Sequence, residues 1–129
     1  MMVLADTSVW IDHLRRGSPL LMDLLDEALV ACHPLVIGEL ACGNLRNREG
    51  ILTLLSELPM ALSAEHTEAL KLLHDEQLHG RGLGWVDIHL LASARLTTCA
   101  LWTLDKPLHQ AAVMLDLAVT PRFPAAPAG

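Results

Sequence analysis

Four acidic residues stand alone in stretches that otherwise carry no formal charge. Asp6 is the only charge in residues 1–11, Glu39 in 34–43, Asp87 in 82–94 and Asp105 in 96–105. Most of the other acids, such as Asp23, Glu27, Glu65 and Asp75, lie on polar helical faces. A carboxylate among apolar residues is costly to desolvate, and unpaired it raises its pKa to stay neutral. Asp87 is the sharpest case. On a helix Leu90, Leu91 and Ala94 follow it at spacings that place them on its own face. Four carboxylates gathered together would also repel one another. A divalent cation removes both penalties. Mg²⁺ and Mn²⁺ prefer oxygen ligands, and Mg²⁺ keeps waters and completes its shell with a substrate phosphate. Such a centre suits metal-assisted hydrolysis of a phosphodiester.

Each acid also has a purely local explanation. Asp6 and Asp87 stand where a helix N-cap is wanted, and Asp is favoured there. Asp105, before Lys106-Pro107, fits a turn. Glu39 has no basic residue within a helical turn, so its local alternative is a distant arginine. Ser8 and Thr103 are hydroxyls next to these acids and can orient a carboxylate or a bound water, or simply cap and fill a strand. Asp12 is placed to pair with Arg15 or Arg16 on a helix surface. Arg15, Arg16, Arg46, Arg48 and Arg81 are candidates for phosphate contacts, and each is equally at home on a solvated face. The seven histidines make no metal-ligand spacing; His109 reads as a helix-surface residue, and His89, two positions after Asp87, points away from it. Trp10, Trp85 and Trp102 lie in apolar context and read as core, Trp85 least firmly because a glycine-rich loop precedes it.

The elements that must hold these residues alternate. Short apolar runs at 2–5, 29–32, 99–104 and 117–120 read as strands, and 60–62 as an extended piece. Between them lie helical patterns near 8–15, 20–28, 34–42, 48–58, 63–79, 86–96 and 107–115, punctuated by Gly17-Ser18-Pro19, Gly43-Asn44, Pro59 and the loop 80–84. Apolar strands alternating with helices give an α/β domain around a buried parallel sheet. Ligands bind such sheets at the carboxyl ends of the strands, and Asp6 and Asp105 both follow directly on apolar strands.

The chain has 129 residues, enough for one domain with its own core: residues 1–120, followed by a Pro/Ala-rich tail, 121–129. Hydrophobic residues make up 52% and charged residues 19%, which excludes a disordered chain. Apolar runs such as 28–32 are far shorter than the roughly 20 residues of a membrane span. Asp6 arrives without a basic lead, so no signal peptide is expected. Cys32, Cys42 and Cys99 sit in apolar stretches without metal-knuckle spacing and read as reduced core thiols of a cytoplasmic protein. The net charge of −6 argues against a passive nucleic-acid coat but not against a nuclease with an acidic metal site. The high apolar content suggests a surface covered by a partner or a second copy.

Taken in order, Asp6-Thr7-Ser8-Val9-Trp10-Ile11-Asp12, Val36-Ile37-Gly38-Glu39-Leu40, Asp87-Ile88-His89-Leu90-Leu91-Ala92-Ser93-Ala94 and Thr103-Leu104-Asp105 resemble PIN-domain ribonucleases. Within that superfamily the chain resembles the VapC-type toxins of bacterial toxin–antitoxin pairs. The resemblance spans nearly the whole chain. It implies a three-layer α/β/α domain with a parallel sheet of about five strands in the order 3-2-1-4-5. It also implies Mg²⁺- or Mn²⁺-dependent RNA cleavage, with Asp6, Glu39, Asp87 and Asp105 catalytic and Asp6, Asp87 and Asp105 ligating the metal. A cognate antitoxin that covers the site and a homodimer are implied as partners. One departure is visible: many relatives carry a further acid two residues after the last Asp, where Pro107 stands here. One tight metal is therefore expected, and a second is in doubt.

Other classes fit less well. A response-regulator receiver wants paired acids after the first strand, where Thr7 and Ser8 stand. A haloacid-dehalogenase-like phosphatase wants a second Asp two positions after Asp6, which is Ser8. A catalytically silent binding module on the same fold, sequestering RNA or a protein, is the remaining alternative, and retention of all four acids counts against it.

Overall fold

The computed structural model describes residues 1–119, so Thr120 and the tail 121–129 lie outside the described residues. The elements run β1 (Val3–Ala5), α1 (Thr7–Arg16), α2 (Pro19–Asp26), β2 (Val30–Ala31), α3 (Pro34–Ala41), α4 (Arg48–Glu57), α5 (His66–Asp75), α6 (Trp85–Thr97), β3 (Ala100–Trp102) and α7 (Lys106–Met114). The three strands form a parallel sheet in the order β2-β1-β3. All three residues of β1 are buried, so helices cover both faces of the central strand.

Five full strands are not found among the described residues. The two outer positions are reduced to single parallel bridges, Met60 beside Cys32 and Ala118 beside Leu101. Their main-chain bonds are nevertheless formed: Ala61 N–H donates to Cys32 O at 2.8 Å, and Leu101 N–H to Leu117 O at 2.7 Å. Reading across the sheet, the segments follow the expected order 3-2-1-4-5 with shortened edges. Short edges leave little unpaired backbone to recruit another chain.

Four helices end in the same way. Ala28, Gln77, Thr98 and Asp116 adopt left-handed backbone after α2, α5, α6 and α7. The residue after each then donates back five positions, as Leu29 does to Leu24, Leu78 to Leu73, Cys99 to Ala94 and Leu117 to Ala112. This is the Schellman closure, in which the following apolar residue dives into the core. Glycine normally marks it, and here none of the four is glycine. That is why the pattern at 63–79 predicts a longer helix than the observed α5.

The core gathers Leu4, Trp10, Leu21, Leu55, Leu91, Leu101 and Leu108, all nearly inaccessible. His33 is buried with them. Its Nδ1 accepts from Leu35 N–H at 3.0 Å and so caps α3, while Nε2 lies 3.0 Å from Ser93 Oγ. Burial, then the nearby His89, push this imidazole below its ordinary pKa. Cys32 and Cys99 are buried as expected, but Cys42 is exposed. Its apolar neighbours belong to α3, and Cys42 sits just past that helix as its C-cap. No helix among the described residues is long and apolar enough to cross a membrane.

Candidate active site

The carboxyl end of the sheet collects the acids. Asp6 ends β1 and caps α1, the local role its position in the sequence suggests. Its Oδ1 accepts from Ser8 N–H at 3.0 Å, Ser8 Oγ at 2.5 Å and Val9 N–H at 3.4 Å. Its Oδ2 accepts from Thr103 Oγ1 at 2.7 Å, across the sheet from the end of β3. Asp6 N–H donates to Trp102 O at 3.0 Å, which locks the two strand ends together. Thr103 Oγ1 in turn accepts from Asp105 N–H at 3.0 Å, and Ser8 Oγ accepts from Leu104 N–H at 2.9 Å. Ser8 and Thr103 therefore tie Asp6 to the chain that carries Asp105.

Asp105 caps α7 through Oδ2, which accepts from Leu108 N–H at 3.1 Å. Asp87 lies in the first turn of α6, not at its cap, and Oδ2 accepts from Gly84 N–H at 2.9 Å. Glu39 projects from α3 and accepts from Thr7 Oγ1 at 2.6 Å. The local reading of Asp6 as a helix cap thus holds, that of Asp87 does not, and Asp105, read as a turn residue, caps a helix instead; Asp6 and Asp105 meet at one end of the sheet.

Asp87 lies within reach of the charges of the other three acids. Burial raises Asp87 above its ordinary pKa; the Gly84 N–H opposes this, and the charges of Asp105, Asp6 and Glu39 each raise it further. Burial also raises Asp6, opposed by the hydrogen bonds from Ser8, Thr103 and Val9. Two acids are not buried, contrary to the sequence expectation. Glu39 and Asp105 are both exposed. The buried face of α3 runs through Val36 and Leu40, and Glu39 falls beside it. Asp105 follows a buried strand but already sits in the loop beyond it. A charge-free neighbourhood in sequence reports buried neighbours, not burial of the acid itself.

Three hard-oxygen acids and a fourth nearby suit Mg²⁺ or Mn²⁺ in donor chemistry. Among the described residues, however, no group of three Asp, Glu, His or Cys side chains is positioned to hold an ion unaided. That fits a cation held by one or two carboxylates with water and a substrate phosphate in the remaining positions.

The candidate arginines separate into two groups. Arg15 and Arg46 line, with Glu39, Ile11, Leu14 and Leu40, a cleft of about 630 Å³ that reaches Glu39 but none of the other three acids. Arg16 is engaged by Asp12, with Nε at 2.9 Å, as the surface ion pair expected for Asp12. Arg48 donates to Gly43 O at 3.3 Å and Arg81 to Gln77 O at 3.0 Å. Two features were not legible in the sequence. Thr7 holds Glu39 across 32 positions of chain, which no local pattern signals. Trp85, read as core, is 40% exposed at the start of α6; the loop before it, including the exposed Arg81 and Gly82, leaves it uncovered.

A PIN domain model matches residues 3–114. The chain is 48% identical over 111 residues to "Ribonuclease VapC32" of Mycobacterium tuberculosis, strain CDC 1551 / Oshkosh, covering 85% of this chain and 90% of the relative. The same figures hold for the protein of that name in strain ATCC 25618 / H37Rv. The matched span contains all four acids together with Ser8 and Thr103, and the parallel sheet order agrees with the resemblance. This chain belongs to the PIN domain family, as a VapC-type member of it.

Proposed function

We propose that this protein is an endoribonuclease that hydrolyses RNA phosphodiester bonds at the carboxylate end of its sheet, as the toxin of a toxin–antitoxin pair. The observation that carries the reading is the convergence of Asp6, Glu39, Asp87 and Asp105, with Asp87 repelled by the other three. Asp6, Asp87 and Asp105 are the carboxylates assigned to the metal, one or two of them directly and the rest through bound water. Mg²⁺ or Mn²⁺ bound there supplies phosphate polarisation and a more acidic attacking water. Thr103 and Ser8 orient Asp6, so that one carboxylate is fixed before any ligand arrives. Glu39 is exposed and held by Thr7, and stands ready to take the proton of the attacking water. Water attacks phosphorus, the bond to the 3′-oxygen breaks, and that oxygen takes a proton from solvent water as Glu39 returns its own to solvent. The products are a 5′-phosphate and a 3′-hydroxyl, and the RNA 2′-hydroxyl plays no part. Arg15 and Arg46, on the cleft beside Glu39, are the arginines placed to meet neighbouring phosphates. The reading takes the cytoplasm as the compartment, a cognate antitoxin as the protein that covers the carboxylates, and a homodimer as the assembly. Exposed apolar side chains such as Leu62, Leu104 and Val113 support covered surfaces of that kind.

The test is a cleavage assay on total RNA with protein freed of any antitoxin, comparing Mg²⁺, Mn²⁺ and EDTA. Discrete fragments with 5′-phosphate ends should appear only with the cation and vanish in Asp6→Asn. Ends bearing 2′,3′-cyclic phosphate, or no cleavage by the folded, metal-loaded protein, would overturn the mechanism. Thr103→Val should lower kcat about ten- to a hundredfold, as loss of a partner that orients a metal ligand typically does. Thr103→Ser should restore most of that loss, because it returns the hydroxyl that Asp6 accepts.

A further inference from the structure

Asp87 and Asp105 come from the starts of two different helices, and one short loop touches both starts. Residues 80–84 lead from the turn after α5 into α6. Gly84, the N-cap of α6, donates its N–H to Asp87 Oδ2 at 2.9 Å. Two residues earlier, Gly82 runs beside Pro107, which lies in the first turn of α7, two positions after Asp105. A Cβ built on Gly82 stands 3.6 Å from Pro107 Cγ and 3.7 Å from Pro107 Cβ.

The loop is fixed elsewhere too. Arg81 Nε donates to Gln77 O at 3.0 Å, and Leu83 packs against the core. Gly82 takes left-handed backbone, φ 78°, which a side chain would strain. Pro107 is half-buried, and its ring fixes its own φ, so it offers the loop a stiff surface. Something stiff is needed here. Of the other three acids, Asp105 has the charge that weighs most on Asp87. Without a cation that repulsion pushes the starts of α6 and α7 apart. Ligands that must be gathered before binding hold an ion more weakly than ligands already at their final spacing.

We propose that loop 80–84, lying against Pro107 at Gly82, braces Asp87 and Asp105 at the spacing the cation needs. Neither Gly82 nor Pro107 has a side chain with a donor atom, so both are positioning residues. Gly82 acts through Gly84 on Asp87, and Pro107 acts through the first turn of α7 on Asp105. The inference rests on the reading of these acids as a metal site and adds what presets that site.

The experiment is calorimetric titration of Mn²⁺ into the metal-free full chain, without RNA. Pro107→Ala removes the ring but keeps the cap of α7, because Leu108 N–H still meets Asp105 Oδ2. It should weaken Mn²⁺ binding about tenfold, as loss of a group that orients a metal ligand does. Gly82→Ala should weaken it similarly, and the double variant by much less than the product of the two, because both disturb one contact. Pro19→Ala removes a proline from the first turn of α2, which carries none of the four acids, and should leave Mn²⁺ affinity unchanged. In the cleavage assay Pro107→Ala should need about tenfold more Mn²⁺ for half-maximal rate, with kcat at saturating Mn²⁺ little changed. Wild-type Mn²⁺ affinity in Pro107→Ala, or an equal loss in Pro19→Ala, would overturn the brace. A wild type that binds Mn²⁺ but cleaves no RNA would overturn the ribonuclease reading, while the order of Mn²⁺ affinities would still decide for or against the brace. Absence of Mn²⁺ binding in the wild type would overturn both.

Discussion

Asp87→Asn should abolish RNA cleavage, by about 3–4 kcal/mol in the barrier or roughly a hundred- to a thousandfold or more, while the protein folds normally. The amide is nearly the size of the carboxylate, and its oxygen can still accept from Gly84 N–H, so the first turn of α6 is retained. What disappears is the negative charge in the middle of the cluster. Asp87 is half-buried and faces the charges of Asp105, Asp6 and Glu39, all of which make its ionised form unfavourable. Removing that charge should therefore raise the Tm of the metal-free protein, a gain on the order of 1 kcal/mol at most. Activity and stability moving in opposite directions is the signature of an acid kept for function. Cleavage at the wild-type rate by Asp87→Asn would make the residue structural, and a lowered Tm would show that its charge is compensated in a way the geometry does not contain.

Removal of divalent cations should stop cleavage, and their addition should stabilise the protein in a pH-dependent way. Asp6 and Asp87 are both raised above the ordinary value of 3.8. A raised group contributes its stability below the unfolded pKa and loses it as pH rises through the folded pKa. The ionised form of both acids therefore comes at a cost to the metal-free fold. Mg²⁺ or Mn²⁺ at about a hundred times its Kd should add roughly 2.7 kcal/mol of stability near neutral pH. That gain should shrink as the solution is acidified toward the range where the two carboxylates take up protons. His33 and His89 work in the other direction. Both are lowered from 6.5, chiefly by burial, so they cost stability as pH falls below that value. They are common to the wild type and Asp87→Asn, so the difference between the two Tm-against-pH curves isolates the acids. Calorimetric melts with and without EDTA provide the measurement, and equal metal stabilisation of both proteins would remove Asp87 from the metal-holding set.

Much of this architecture is written locally. A four-residue apolar run ending in Asp-Thr-Ser reads as a short buried strand running into a capped helix, and Asp6 follows from that. The apolar spacing of Leu90, Leu91 and Ala94 after Asp87 locates α6 and puts Asp87 near its start, because helical periodicity is a property of neighbours in sequence. The isolation of each acid among uncharged residues picked out all four. Helix ends were less legible, since left-handed closures at Ala28, Gln77, Thr98 and Asp116 use residues that carry no glycine's signal.

Tertiary structure decided which acids are buried and what holds them. Thr103 reaches Asp6 from 97 positions away, and Thr7 reaches Glu39 from 32. Those pairings exist only because β1 and β3 lie side by side and α1 packs on α3. The exposure of Glu39, Asp105 and Trp85 was settled in the same way, by which helix or loop covers each position. Composition and spacing determine which side chains a segment turns toward the core of its own element. Whether a neighbouring element then covers the remaining face depends on packing between segments far apart in the chain, and that is where this site acquired its geometry.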